Sequence, residues 1–212
     1  MLIKVCGMRE PDNIRAIESL GIDLMGFIFY PKSPRYVSEV PSYLPTRCSR
    51  VGVFVHAPFC DIIPRVKAFG LHYIQLHGKE PPSYLMALRR ALAAEGLRHV
   101  RIISMAAVGD EEQARKADLC DGPANLLLFD TPTPSYGGSG TSFSWSLLDA
   151  YQGSTPFLLS GGIGPDSLDD LRHFHHPRWA GIDLNSRFEV RPGVKDPELL
   201  HRFIETFRNN CK

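Results

Sequence analysis

Short apolar runs, many rich in β-branched residues, alternate along the chain with polar or glycine-rich loops and longer amphipathic stretches. The runs predict strands at residues 2–6, 24–29, 51–55, 73–76, 99–104, 126–130, 156–160 and 181–184. They lack clean apolar–polar alternation. Near-continuous apolar character is expected of strands covered on both faces, as in a parallel sheet. Helices are expected between them. Residues 11–20 carry Ile14, Ile17 and Leu20 at helical spacing, and 84–94 carry Leu85, Leu88 and Leu92. Residues 166–171 are similar, and 197–207 place Leu200, Phe203 and Phe207 on one stripe. Proline near the entry of three of these segments, at Pro11, Pro81-Pro82 and Pro197, is a start signal. Pro41 and Pro45 shorten any helix after the second strand.

Eight strand–helix units in 212 residues leave about 26 residues each, near the minimum for such a repeat. Closed barrels and open doubly wound sheets both use this alternation. Eight units favour closure, and no G-x-G-x-x-G follows the first strand. The expected fold is therefore α/β, a (β/α)8 TIM barrel spanning residues 1–212 as one catalytic domain. In such a barrel, function gathers at the C-terminal ends of the strands and in the loops after them.

Composition narrows the function classes. A formal net charge of +1 supplies no strong positive field, so neither nucleic acid nor an anionic membrane is an expected partner. No run approaches the ~18 apolar residues of a membrane span. The first residues form too short an apolar run for a signal peptide. Five widely spaced cysteines, with no C-x-x-C, argue against a disulfide framework or zinc ribbon and fit a reducing cytoplasm.

The barrel rule selects the candidates for chemistry. Cys6 ends the first strand before a glycine, and a thiolate there can serve as base or nucleophile. Cysteine is also an ordinary core residue. Asp130 closes the run Leu126-Leu127-Leu128-Phe129, where a carboxyl group needs a partner or a task. Asp183 closes the eighth strand in the same way, and holding nearby loop backbone is its plainer role. His77 follows the fourth strand. Arg35, in the loop after the second, can clamp a carboxylate through two hydrogen bonds. Gly138 and Gly140, with Gly161 and Gly162 after strand seven, let backbone N–H groups approach a phosphate, and Ser186 adds a hydroxyl after strand eight. The cluster His173, His175 and His176 matches no standard metal spacing.

In order, these segments resemble the phosphoribosylanthranilate isomerase family. The matching stretches are Lys4-Val5-Cys6-Gly7, Ser33-Pro34-Arg35-Tyr36-Val37, Gln75-Leu76-His77-Gly78 and Leu128-Phe129-Asp130-Thr131. Gly137-Gly138-Ser139-Gly140, Ser160-Gly161-Gly162-Ile163, Gly181-Ile182-Asp183 and Pro192-Gly193-Val194-Lys195-Asp196 complete the set. The resemblance implies an isomerase of tryptophan biosynthesis that performs an Amadori rearrangement on a phosphorylated small molecule. It implies Cys6 as general base, Asp130 as general acid, Arg35 on the anthranilate carboxylate and the glycine loops on the phosphate. His77, Asp183 and Ser186 are expected to contact substrate. The chemistry calls for no cofactor and no metal, and the chain is expected to act as a monomer or homodimer.

Two stretches depart from the family pattern. Met8-Arg9-Glu10 stands where a Thr-Arg or similar pair is usual. Asp183-Leu184-Asn185-Ser186-Arg187 stands where Asp-x-Ser-Ser-Gly is usual, which makes Arg187 a candidate to meet the phosphate. Two other readings compete. The histidine-pathway barrel isomerases use paired aspartates after strands one and five, positions held here by Cys6 and by Ile103-Ser104. A non-catalytic phosphosugar-binding barrel would not need both Cys6 and Asp130.

Overall fold

The computed structural model describes residues 1–120, 122–130 and 144–210. Eight parallel strands close into a barrel in sequence order: β1 (Leu2–Val5), β2 (Leu24–Ile28), β3 (Ser49–Phe54), β4 (Tyr73–Leu76), β5 (Arg101–Ala107), β6 (Leu126–Asp130), β7 (Phe157–Leu159) and β8 (Trp179–Leu184). All eight expected strands are present, shifted at most by a few residues at their ends. Closure is made by β1 against β8, in register from Leu2 with Gly181 to Val5 with Leu184. A Cβ on Gly181 would lie 2.0 Å from the Leu2 carbonyl oxygen, so only glycine lets the first and last strands meet there.

The helices are α1 (Pro11–Glu18), α2 (Phe59–Phe69), α3 (Pro82–Ala94), α4 (Glu111–Lys116), α5 (Leu168–His173) and α6 (Pro197–Asn210). Two of them escape the periodicity reading. Helix α2 contains Pro64, which removes one interior N–H, yet Ile62, Val66 and Phe69 still form a buried stripe. Helix α4 buries only Ala114 and has no apolar stripe to detect. The interval between β2 and β3 holds no helix. There the Glu18 carboxylate accepts from the Thr46 and Arg47 amides and from the Tyr43 hydroxyl, which satisfies loop backbone that a helix would otherwise pair.

Each strand is covered on both sides, which explains the missing alternation in the sequence. The outward faces, among them Ile3, Val5, Phe27, Ile74, Leu127 and Phe129, pack under the helices. The inward faces form a separate plug of Leu24, Val51, Ile103, Leu126, Leu128 and Leu158 that fills the barrel. One pleat above the plug the inward positions turn polar: Lys4 after Leu2, Gln75 after Tyr73, Asp130 after Leu128. The apolar plug is the floor on which the site stands.

After β8 the chain forms a small antiparallel ribbon, β9 (Glu189–Arg191) with β10 (Val194–Lys195). Asn13 of α1 clamps it through both the amide and the carbonyl of Lys195, at 2.8 and 2.9 Å. The ribbon thereby delivers two charged side chains, Glu189 and Lys195, to the barrel mouth.

Candidate active site

One pocket opens at the C-terminal end of the barrel, enclosing about 840 Å3 including its mouth. Its wall includes Cys6, Arg35, His77, Asp130, Gly161, Gly162, Asp183 and Ser186. Eight of the ten residues singled out in the sequence therefore meet at one place. The other two, Gly138 and Gly140, lie outside the described residues.

Cys6 stands just past the end of β1, its side chain turned inward and only 3% of the residue exposed. A Cβ on Gly26 would come within 2.6 Å of Cys6 Sγ, so the missing side chain on β2 makes the thiol's seat. Burial pushes the thiol pKa up. Lys4 pulls it back, Asp183 adds to the rise and Lys195 opposes it, and the thiol stays above its ordinary value.

Beneath it, Lys4 Nζ donates to both carboxylate oxygens of Asp183, each at 2.9 Å. Asp183 was expected to touch substrate or hold loop backbone. It borders the pocket, and both its oxygens accept from a fully buried ammonium. Burial works against the Lys4 charge, but Asp183 and then Cys6 outweigh it, and Lys4 ends above the usual lysine value.

On the far side, Asp130 Oδ2 lies 3.4 Å from His77 Nε2, and Gln75 Nε2 lies 3.0 Å from His77 Nδ1. With the Gln75 amide donating to Nδ1, the imidazole carries its proton on Nε2, toward Asp130. Burial first, then the Lys4 charge, holds the His77 pKa down at about 4. A neutral imidazole is therefore the working form. Gln75 Oε1 is buried with no hydrogen-bond partner among the described residues, and Gln75 lines the same pocket.

The His77 shift has a measurable consequence. Between the unfolded value of ~6.5 and about 4, the unfolded chain takes up a proton that the folded chain excludes. Folding stability is expected to fall as pH drops through that window, with a His77 contribution of about 2 kcal/mol. Urea unfolding at pH 7 and pH 4.5 reads it. A His77→Gln variant that loses as much stability over this interval as the parent chain would overturn the assignment.

Arg35 is engaged side-on by Glu189, with Nε at 2.9 and 3.1 Å and Nη2 at 2.7 Å from the carboxylate oxygens. Glu189 also accepts from Lys195 Nζ at 2.6 Å, and Lys195 reaches Asn185 Oδ1 at 2.8 Å. Two cations thus share one carboxylate, leaving a net positive charge beside the pocket.

Gly161 and Gly162 both adopt positive φ, +84° and +73°, a backbone that turns the chain at the pocket rim and that bulkier residues resist. Ser186 opens the short 3-10 turn Ser186–Phe188 next to them. Arg187 does not border the pocket. It bridges to Asp166 at 3.0 and 3.2 Å, tying the loop after β8 to the loop after β7. His173 and His175 each contact a backbone carbonyl, and His176 lies 3.3 Å from the Tyr151 carbonyl, away from this mouth.

Lys4, Gln75 and Lys195, which lie inside the matched stretches, and Glu189 are the residues here to which the sequence reading gives no role. A signal existed for the first two. Lys4 interrupts an apolar strand two positions before Cys6, and Gln75 sits two before His77, so each shares its neighbour's face.

The comparisons with known proteins agree with this geometry. The sequence model of N-(5'-phosphoribosyl)anthranilate isomerases matches residues 3–206. An N-(5'-phosphoribosyl)anthranilate isomerase of Phocaeicola vulgatus is 51% identical over 212 residues, covering all of both chains. The crystal structure of phosphoribosyl anthranilate isomerase from Thermotoga maritima superposes with a TM-score of 0.79 at 31% identity, covering 99% of each chain. A phosphoribosyl anthranilate isomerase in complex with reduced 1-(o-carboxyphenylamino)-1-deoxyribulose 5-phosphate superposes with a TM-score of 0.75 at 28% identity, covering 99% of this chain and all of the other. This chain belongs to the N-(5'-phosphoribosyl)anthranilate isomerase family.

Proposed function

We propose that the chain isomerises N-(5'-phosphoribosyl)anthranilate to 1-(2-carboxyphenylamino)-1-deoxyribulose 5-phosphate, with Cys6 as general base and Asp130 as general acid. One observation carries the assignment of roles: Cys6 and Asp130 end two strands, β1 and β6, that are not neighbours in the ring, and both face one pocket. A sugar seated between them meets an acid on one side and a base on the other.

The reaction needs that arrangement. Asp130 in its acid form protonates the ring oxygen, and the bond from C1' to that oxygen breaks as the aniline nitrogen lone pair moves in. The resulting iminium acidifies the proton on C2', which the Cys6 thiolate removes. The enolamine then tautomerises to the ketone, with the C2' hydroxyl losing its proton and C1' gaining one. Each step moves a proton, the first with cleavage of the C1'–O bond, and none calls for a metal or cofactor.

Arg35, held flat by Glu189, presents its remaining N–H groups to the anthranilate carboxylate. The backbone around Gly161 and Gly162 and the Ser186 hydroxyl receive the phosphate. Gln75 Oε1, without a partner among the described residues, can accept from a substrate hydroxyl.

Loss of phosphoribosylanthranilate fluorescence on addition of the purified chain tests the reading, with the product compared chromatographically with authentic deoxyribulose phosphate. A decay no faster than that of substrate in buffer would overturn it.

A further inference from the structure

Cys6 borders the pocket, but what would make a buried thiol a base is not in the family motif's named roles. The inward positions of β1 run Leu2, Lys4, Cys6, so the lysine stands directly under the thiol on the same face. Its ammonium is wholly buried, fixed by both oxygens of Asp183 at 2.9 Å, on the strand face that also carries Cys6, and its charge favours the thiolate. A lysine is almost never fully buried without a partner, and one carboxylate already satisfies its charge. The surrounding balance shows what remains.

The groups packed around the thiol are Lys4 on β1, Asp183 on β8, and Lys195 on β10. Glu189 and Arg35 extend this set through Lys195. Three cations face two anions, and Asp130, which also faces Asp183, is neutral in the acid form proposed above, so the set carries one net positive charge. His77, across the pocket, is neutral above a pH of about 4 and changes nothing. A thiolate at Cys6 completes the balance, and a neutral thiol leaves it open.

We propose that Lys4 is a positioning residue of the reaction: pinned by Asp183 just above the apolar plug, its ammonium is the counter-charge that offsets burial and makes the Cys6 thiolate accessible to the reaction. The proposal rests on Cys6 acting as base. Asp183 then acts one step further back, as the clamp that keeps the lysine in place rather than as a substrate ligand.

The test uses the full chain with Lys4→Met, Lys4→Met/Asp183→Asn and Lys4→Arg. The double variant removes both charges, so it strands no buried carboxylate and guards against simple misfolding. Iodoacetamide alkylation of Cys6, read on its own peptide by mass spectrometry across pH, reports thiolate directly. In Lys4→Met and in the double variant the midpoint is expected to rise by at least about one pH unit, making alkylation near neutral pH roughly tenfold slower. Turnover is expected to fall roughly tenfold or more with KM changed less than about threefold, and Lys4→Arg is expected to recover most of both. A double variant that keeps its cooperative thermal transition and alkylates Cys6 with the parent pH dependence would overturn the proposal. A Cys6→Ser chain with parent turnover would instead remove the base assignment, an outcome that the alkylation profile does not depend on.

Discussion

Cys6→Ser and Asp130→Asn are each expected to lower kcat by roughly 10³-fold while changing KM by less than about threefold. The expectation follows from what each substitution keeps. Serine preserves the size and place of the group on its seat above Gly26, but an alcohol does not ionise near neutral pH, so the base is lost and the cavity is not. Asparagine preserves the shape of Asp130 and a hydrogen bond to the Nε2–H of His77, but it has no acidic proton to give. Neither change touches Arg35 or the glycine pair, the groups proposed to hold the substrate. The two residues act in successive steps of one proton path, so the double variant is expected to be little worse than either single one. Steady-state kinetics on the fluorescent substrate, with product titration to check binding, measures all three. Parent-like rates in either single variant would remove it from the mechanism.

The ends of the strands were legible in the sequence because burial on both faces leaves apolar runs that only a parallel sheet explains. The site's position followed from them, since each candidate was read as the first polar residue past a run: Cys6 past Val5, Asp130 past Phe129, His77 past Leu76. Lys4 and Gln75 lie within their strands rather than past the ends, so only side-chain parity along the inward face couples each to its neighbour at the barrel mouth. Asp183 was found, but its buried partner Lys4 was not. Its residue type and place were plain, but its partner is 179 positions away and only barrel closure brings the two together. Helix α2 was hidden by Pro64 and helix α4 by its lack of an apolar stripe, both cases of tertiary packing overriding local pattern. The ribbon of β9 and β10 is too short for a periodic signal. Its Pro192-Gly193-Val194-Lys195-Asp196 segment supported the resemblance, yet nothing local indicated that Lys195 would turn into the barrel mouth.

That ribbon carries the second large effect. Glu189→Gln is expected to destabilise the fold by about 3 kcal/mol or more. Glu189 is the carboxylate between two cations with almost no access to water: Lys195 Nζ at 2.6 Å and Arg35 Nη2 at 2.7 Å, their side chains 0% and 9% exposed. Removing its charge leaves the cations facing each other without their shared anion, and the uncompensated charge, not the lost hydrogen bond, is the larger cost. Lys195→Met added to Glu189→Gln removes one of the two cations and should restore a good part of the loss, whereas additive losses would show that the residues do not form one network. Burial works against the Glu189 charge, but Arg35 and Lys195 outweigh it and hold the carboxyl below its ordinary pKa. Its stabilisation is therefore complete above the unfolded value of ~4.3 and is lost as pH falls through the lower folded value. Urea unfolding of parent and variant should differ by the full amount at pH 7 and converge toward pH 3, below the His77 window. A constant difference at both pH values would mean the variant had lost packing rather than charge. The same substitution frees Arg35 from its fixed plane, so KM is expected to rise roughly tenfold as the guanidinium loses its orientation toward the substrate carboxylate. A chain as stable as the parent at pH 7, or one that loses stability without any rise in KM, would separate the ribbon's structural part from the site it is argued to serve.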